Sequence, residues 1–279
     1  MSQEQAASLL AHAFFCTFPS SSDDLPSVNF GYLFSMKTST SMEKLRCVFH
    51  YFHTISKKMP TGLLTFRRQK DSMPDWSSLQ MLLSNLCVTS SGRIEDNGYG
   101  MLQVDFANSY IGGGVLGNGC VQEEIRFLIC PELMVSMLLC EKMDDNEAIV
   151  ICGAQRFSSY TGYGPTFRWQ RMEHEDSTPR DRFGRLLCEL VAIDALPFLH
   201  KDMQFHVELV DRELLKAYVG FAALKNETRG VATGLIQLMA ASARNRPLCY
   251  CTFGNGQFAD SLQAVYTLLK QHNATVGMF

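Results

Sequence analysis

The 279-residue sequence lacks an excess of charge of either sign. Its 25 basic and 28 acidic side chains leave a formal net charge of −3. A protein that holds nucleic acid through many phosphate contacts needs a strongly basic surface. We therefore predict that the chain has no direct nucleic-acid partner.

The sequence also lacks a C-x-x-C pair, although it contains 10 cysteines. That spacing is typical of zinc ribbons and thioredoxin-type motifs, so neither is predicted. Most of the cysteines lie in apolar runs, where a free thiol packs as a small hydrophobic side chain. We interpret Cys249 and Cys251, in a strand-like run, as core residues rather than metal ligands. Scattered free thiols favour a reducing, intracellular compartment.

Long apolar runs are absent as well. The most apolar region, residues 127–140, is interrupted by Pro131 and Glu132 and is too short to cross a bilayer. The first ten residues have neither the basic start nor the apolar stretch of a signal peptide. We expect no attachment to a membrane.

The first part of the chain is predicted to be helical, over residues 3–15 and 42–55. In the second helix Leu45, Val48, Phe49 and Phe52 share one stripe, which predicts its buried face.

From residue 60 onward, strand-like apolar runs alternate with helical segments. The predicted strands cover residues 63–66, 102–106, 148–152, 190–193 and 248–253. The predicted helices cover residues 121–129, 132–141, 212–224, 235–243 and 261–271. This alternation is typical of an α/β layer fold with a parallel or mixed sheet. We therefore divide the chain into a helical segment, residues 1–59, and an α/β domain, residues 60–279.

Glycines are concentrated just after the strand predicted at residues 102–106. They are Gly112, Gly113, Gly114, Gly117 and Gly119. Three of them match G-x-G-x-x-G, but a dinucleotide site also needs a helix directly after the glycines and an acidic residue at the end of the next strand. Neither follows here, so we reject NAD binding. Consecutive glycines still allow backbone N–H groups to approach a ligand closely.

Glu123 and Glu124 open the apolar helix that follows these glycines. One explanation is structural, because acidic side chains are favourable in the first turn of a helix. The other is a ligand site, because Asp105 and Asn108 lie at the end of a predicted strand, where α/β sheets place ligand-binding groups. Hydrolysis of a glycosidic bond needs a carboxylic acid that protonates the leaving oxygen, and groups that hold the sugar.

Aromatic side chains alternate with glycines in residues 157–169. For Trp169 we favour a packed loop, and for Tyr163, which is flanked by glycines, the lining of a ligand pocket. A metal-dependent hydrolase built on His50 and His53, or on the later pair His200 and His206, is a less favoured hypothesis, because His50 and His53 have no nearby Glu or Cys to complete a ligand set.

Several long stretches together resemble the catalytic region of the poly(ADP-ribose) glycohydrolases. They include LAHAFFCTFP (10–19), MPTGLLTF (59–66), RIEDNGYGMLQVDFAN (93–108), YTGYGPTFRW (160–169), VAIDAL (191–196) and YCTFG (250–254). The most specific stretch is the triple glycine at 112–114 followed by VQEEIRFLICPEL (121–133). The resemblance covers nearly the whole chain.

The resemblance implies a macrodomain, a mixed sheet between helical layers, with an added helical N-terminal segment. It implies hydrolysis of the ribose–ribose bond in poly(ADP-ribose), with Glu124 as the general acid, Glu123 and Asn108 holding ribose hydroxyls, and Asp105 supporting the site. The remaining implied ligand contacts are Gly112, Gly113 and Gly114 around the sugar, Ile94 and Glu95 at the adenine, Gln122 and Tyr163 in the pocket, and Phe253 against the adenine ring.

The same resemblance implies no metal and no cofactor, and a monomer in the nucleus or cytoplasm that acts on poly(ADP-ribose) carried by modified proteins. The most serious departure of the sequence from the family is at one place. There the run VATG continues into a glycine-rich loop around the diphosphate, whereas here Gly234 is followed directly by Leu235 and its helix. Two hypotheses follow: an active glycohydrolase, or an ADP-ribose-binding macrodomain that lacks the diphosphate loop and has little turnover.

Overall fold

The computed structural model describes residues 1–19, 25–172, 174–200, 202–222, 230–231 and 235–278. Its contacts group into two compact units. Unit 1 comprises Met1–Arg67, Asp105–Met143 and Ile151–Cys188, and unit 2 comprises Arg68–Val104, Asp144–Val150 and Glu189–Phe279. Each unit is therefore built from three separate stretches of the chain.

Helices and strands alternate along most of the described chain, which confirms the α/β class. The helices are α1 (Gln3–Phe14), α2 (Gly31–Ser35), α3 (Ser39–Lys57), α4 (Ile94–Asn97), α5 (Gln122–Ile129), α6 (Ser136–Leu139), α7 (Val207–Gly220), α8 (Leu235–Ala243) and α9 (Gly256–Gln271). The strands are β1 (Thr65–Lys70), β2 (Leu86–Thr89), β3 (Leu102–Ala107), β4 (Glu147–Cys152), β5 (Ser158–Thr161), β6 (Arg168–Arg171), β7 (Glu189–Asp194), β8 (Gly230–Val231) and β9 (Leu248–Cys251).

Seven strands form one sheet in the order β1-β4-β7-β3-β8-β9-β2, and all seven lie at least partly in unit 2. The pairs β3–β8, β8–β9 and β9–β2 are parallel. Ala148, Ile149 and Val150 of β4 are fully buried, as expected of an inner strand covered on both faces. In unit 1, β5 and β6 form a separate antiparallel hairpin.

The N-terminal helices begin at side-chain caps. At α1 the Ser2 Oγ accepts from the Gln5 backbone N–H, and the Gln5 side chain accepts from the Ser2 N–H, which is a capping box. At α3 the Thr38 hydroxyl accepts from the Ser41 N–H at 3.0 Å. Both predicted N-terminal helices are thus confirmed, with α3 extending further at both ends.

Three sequence predictions need correction. The helix predicted at residues 132–141 is a 3₁₀ turn, Pro131–Val135, followed by the single short helix α6. Proline cannot donate the N–H that would join this segment to α5. The strand predicted at residues 63–66 lies later, as β1, because Leu63 and Leu64 bond to Gly184 and Met1 instead.

The third correction concerns short strands that the sequence analysis missed. The segment interpreted as an aromatic loop contains β5 and β6, and β2 had no prediction. Each spans four residues and is only partly buried, so its apolar alternation is weak.

No helix among the described residues is both long enough and apolar enough to cross a membrane. All ten cysteines lie within the described part of the chain and carry free thiols.

A buried polar cluster fixes α1 within unit 1. The Gln3 side chain donates to Glu132 Oε1 at 2.8 Å and accepts from the Gly62 N–H at 2.8 Å. The other oxygen of Glu132 accepts from the Gln155 N–H at 2.9 Å. Because an unpaired buried polar group is costly, these bonds specify one position for α1 against the 3₁₀ turn.

Glu132 should make the stability depend on pH. Burial raises the pKa of its carboxyl from 4.5 to about 7. The folded protein therefore favours the protonated form, so this contribution to stability is fully present below pH 4.5 and is lost as the pH rises through 7. The loss amounts to at most about 3 kcal/mol.

We expect Glu132→Gln to abolish that part of the pH dependence, measured as the free energy of unfolding in urea between pH 4.5 and 8. Glu4→Gln, an exposed position on α1, is the control and should keep the wild-type profile. A Glu132→Gln profile parallel to that of the wild type would contradict the assignment.

Candidate active site

Asp105 lies in β3, upstream of the three consecutive glycines that begin at Gly112. It is completely buried, and neither of its carboxylate oxygens has a hydrogen-bond partner among the described residues. Burial raises the pKa of Asp105; the positive charge of Arg126 opposes this rise, and the negative charge of Glu124 adds to it. An unpaired buried carboxyl of this kind is a feature of functional sites rather than of stable cores.

Residues 112–119, the glycine loop, follow β3 in a series of tight turns. Gly112 and Gly113 have positive φ angles of 92° and 48°, which favour glycine. The approach of neighbouring side chains is a second constraint. A Cβ on Gly113 would lie 2.6 Å from Glu123 Oε2 and 2.6 Å from Glu124 Oε1. The two carboxylates therefore lie so close to Gly113 that any residue with a Cβ at this position would clash with them.

Glu123 is held by two backbone N–H groups. Its Oε1 accepts from Gly112 at 2.7 Å and its Oε2 from Asn108 at 3.0 Å. Burial, together with the charge of Asp105, raises the pKa of Glu123, and the two N–H donors only partly offset this. Glu123 and Asp105 thus form a buried acidic pair that tends to retain a proton.

Glu124 is bonded to both ends of the loop region. Its Oε1 accepts from the Gly114 N–H at 2.9 Å, and its Oε2 accepts from the Val121 N–H at 2.8 Å. The second bond is the helix cap of α5, so the structural explanation for this residue holds. The first bond turns the same carboxylate onto the glycine loop, and the ligand-site explanation stays a prediction. Glu124 retains 6% exposure.

Gln122 and Tyr163 meet at the start of α5. The Gln122 N–H donates to the Tyr163 hydroxyl at 3.1 Å, and the Gln122 Oε1 accepts from the Phe106 N–H at 2.9 Å. The Tyr163 ring is about half exposed. The structure therefore brings these two predicted residues together beside Glu123 and Glu124.

Trp169 and His50 pack against each other, with ring centroids 5.3 Å apart. The Trp169 Nε1 donates to the Ser158 hydroxyl at 3.0 Å. This agrees with the interpretation of Trp169 as a packing residue. Within the described residues, no three His, Cys, Asp or Glu side chains are grouped so that they could hold a metal ion.

The predicted adenine contacts Ile94, Glu95 and Phe253 lie in unit 2. The Thr252 N–H donates to the Thr89 carbonyl at 2.9 Å, so the chain stays paired beyond the ends of β9 and β2. Phe253, about half exposed with a φ of 49°, follows directly, and Ile94 is buried at the start of α4. The region of the missing diphosphate loop, residues 232–234, lies outside the described residues.

Lys44 is a site residue that the sequence analysis missed. Its ammonium donates to the carbonyls of Gly114 at 3.2 Å, Val115 at 3.0 Å and Gly117 at 2.8 Å, and to that of Gly119.

The stripe predicted for α3 is wrong in part, because Phe49 is exposed. The buried stripe instead contains Lys44, Cys47, Val48, Tyr51 and Ile55. A lysine at helical spacing from four apolar residues was the available signal.

Two family models match the chain. One, described as the macro domain fold of poly(ADP-ribose) glycohydrolase, covers residues 73–260, and one described as its helical domain covers residues 1–68. These matches confirm the resemblance seen in the sequence and the macrodomain fold that it implies.

Curated relatives agree with these matches. The chain is 38% identical to poly(ADP-ribose) glycohydrolase 1 of Caenorhabditis elegans over 310 residues, which covers 100% of this chain and 39% of the relative. It is 46% identical to poly(ADP-ribose) glycohydrolase 1 of Arabidopsis thaliana over 231 residues, which covers 79% of this chain and 42% of the relative. The chain thus spans about two fifths of the length of these two relatives.

Gly113→Ala should destabilise the protein by about 2 kcal/mol or more. Alanine pays about 1–2 kcal/mol for a left-handed backbone, and its Cβ would also displace the two carboxylates. Gly256→Ala is the control, because that glycine opens α9 with an ordinary φ and open space around it. The measurement is urea unfolding, and equal midpoints for the two variants would refute the proposed close approach.

Proposed function

Because the chain belongs to the poly(ADP-ribose) glycohydrolase family, we propose that it hydrolyses the ribose–ribose O-glycosidic bonds of poly(ADP-ribose) and releases ADP-ribose. The observation that carries this proposal is the pair Glu123 and Glu124, both turned onto the glycine loop at the start of α5. Glycosidic hydrolysis uses carboxyl groups held beside the scissile bond.

In the proposed reaction Glu124 is the general acid. It donates its proton to the bridging oxygen as the bond from that oxygen to the anomeric carbon breaks. A water molecule then adds to the oxocarbenium-like carbon and returns a proton to Glu124, so that atoms and charge balance. The substrate diphosphate, close to the cationic centre, stabilises it electrostatically.

The surrounding residues support this chemistry. In this proposal Glu123 accepts and Asn108 donates hydrogen bonds with ribose hydroxyls, and the Asn108 N–H bond to Glu123 Oε2 supports it by holding the two residues together. Asp105 lies behind them without a hydrogen-bond partner among the described residues. Since burial and repulsion raise the pKa of Asp105 and Glu123, the site holds a proton readily next to Glu124.

Glu124→Gln should retain ADP-ribose binding and lose turnover by about 100-fold or more, because the amide keeps the shape of the side chain but has no acidic proton to give. Release of ADP-ribose from labelled polymer and calorimetry with ADP-ribose measure the two effects. Glu132→Gln is the matched control, a buried glutamate of the same unit outside the site, and should keep wild-type turnover. Near-normal hydrolysis by Glu124→Gln would refute the role of this residue.

A second candidate function is an ADP-ribose-binding macrodomain with little turnover. The observation that favours it is the direct passage from Gly234 to Leu235, which leaves no room for the family's diphosphate loop. Consistent with lost residues, the match to the first relative extends over 310 residues, whereas this chain has 279. Phosphate binding by a backbone loop depends on several N–H donors at once.

The wild-type protein distinguishes these two functions. Labelled poly(ADP-ribose) reports turnover, and calorimetry with ADP-ribose reports binding. Turnover that Glu124→Gln removes supports the glycohydrolase, and binding without turnover supports the binding module. Absence of both would reject each of them.

A further inference from the structure

Lys44 lies on α3, in the helical segment, yet its side chain ends inside the glycine loop. It is 1% exposed, and its ammonium is surrounded by carbonyls that come from four of the loop residues. An ammonium has three N–H bonds to donate, so these carbonyls replace its water. The Lys44 ammonium therefore holds the backbone of the loop in place through these hydrogen bonds.

Two of the four loop residues that Lys44 holds, Gly114 and Gly119, also lie against Glu124. Gly114 donates its N–H to Glu124 Oε1 at 2.9 Å, and its own carbonyl accepts from Lys44 at 3.2 Å. At the other end of the loop, a Cβ on Gly119 would meet the Glu124 carboxylate, so this backbone also lies against it. A shift of the ammonium would therefore move the two backbone segments that fix the proposed acid.

Burying the charge of Lys44 costs free energy. Lys44 forms no ion pair within 4 Å in the described part of the chain, and burial lowers the pKa of its ammonium. The negative charge of Glu124 partly offsets this. A buried cation that forms no ion pair and does not pack as part of an apolar core contributes little net stability, so stability alone is a poor explanation for its presence.

The neighbouring residue of α3 holds the other side of the site. Glu43 accepts from the Trp169 N–H at 2.9 Å, at the start of β6. The hairpin of β5 and β6 carries Tyr163, which contacts Gln122. Two consecutive residues of one helix thus bind the two segments that border Glu124.

We propose that Lys44 is a positioning residue, which holds the glycine loop and through it Glu124 in the geometry that the reaction needs. This proposal rests on the proposed function for its effect on turnover. Its effect on the loop itself does not depend on that function.

The test uses two variants. Lys44→Met removes the charge and the N–H donors. Lys44→Arg keeps the charge, but its planar guanidinium does not fit the space that the compact ammonium occupies among these carbonyls. Lys216→Met is the matched control. Lys216 is equally buried and donates to the carbonyls of Asp144 and Glu147 in unit 2, although unlike Lys44 it also forms an ion pair with Asp194. All variants are assayed well below their melting temperatures, so that only folded protein is compared.

We expect kcat to fall about 100-fold in Lys44→Met and about 10-fold in Lys44→Arg, with a much smaller change in the Kd of ADP-ribose, because misplacement by about 1 Å is enough for such losses. Lys216→Met should lower the melting temperature and leave kcat unchanged. Amide hydrogen exchange in residues 110–121 should accelerate in both Lys44 variants and not in Lys216→Met.

Wild-type kcat in folded Lys44→Met, or unchanged exchange in residues 110–121, would overturn the proposal. If Lys44→Met does not fold, Lys44→Arg decides by the same two measurements. If the wild type shows no turnover, the proposed function fails, and the exchange experiment alone decides whether Lys44 positions the loop.

Discussion

The close approach of two carboxylates to a glycine backbone is the constraint on which the site depends. Glu123 accepts from the Gly112 N–H at 2.7 Å and Glu124 accepts from the Gly114 N–H at 2.9 Å. A methyl group on Gly113 would lie 2.6 Å from both side chains. The triple glycine is therefore required by distance as much as by backbone angle, and it explains why these glycines lie immediately upstream of an acidic helix start.

Burying several acidic side chains close together is electrostatically unfavourable, and different neighbouring groups reduce this unfavourable free energy at each of them. Asp105 has the charge of Arg126 nearby, Glu123 has two backbone donors, and Glu124 has the cap of α5 and the influence of Lys44. Each of the three carboxylates is thus compensated by a different set of neighbours.

Much of this site could be predicted from the sequence because its signals are local. Asp105, Asn108, the three glycines and the glutamate pair fall within about twenty residues, and the bounds predicted for α5 were nearly right. Lys44 was missed because its partners are 70 to 75 residues away: its helical spacing from buried apolar residues could indicate that it is buried, but not which carbonyls it binds. The stripe predicted for α3 was displaced for the same reason, since packing decides which face of an amphipathic helix is buried.

The strands of the fold could likewise be predicted only in part. Inner strands such as β4 have strong apolar signals, whereas β2, β5 and β6 are short and only partly buried and depend on their partners for existence. The buried bonds of Gln3 to Glu132 and to Gly62 join positions 129 and 59 residues apart. Contacts of this range are specified by the assembled unit and not by neighbouring residues.

These long-range bonds change how the helical segment should be viewed. Family models divide the chain near residue 70, between a helical domain and a macro domain, but the contacts group Met1–Arg67 with Asp105–Met143 and Ile151–Cys188. Within that unit α3 supplies Lys44 to the glycine loop and Glu43 to β6, and α1 supplies Gln3 to the 3₁₀ turn after α5. The Lys44 ammonium donates to four loop carbonyls, so these hydrogen bonds join the loop to the helix. The helical segment is thus an integral part of the unit that contains the glycine loop, and the division of the sequence into two domains does not separate α3 from that loop.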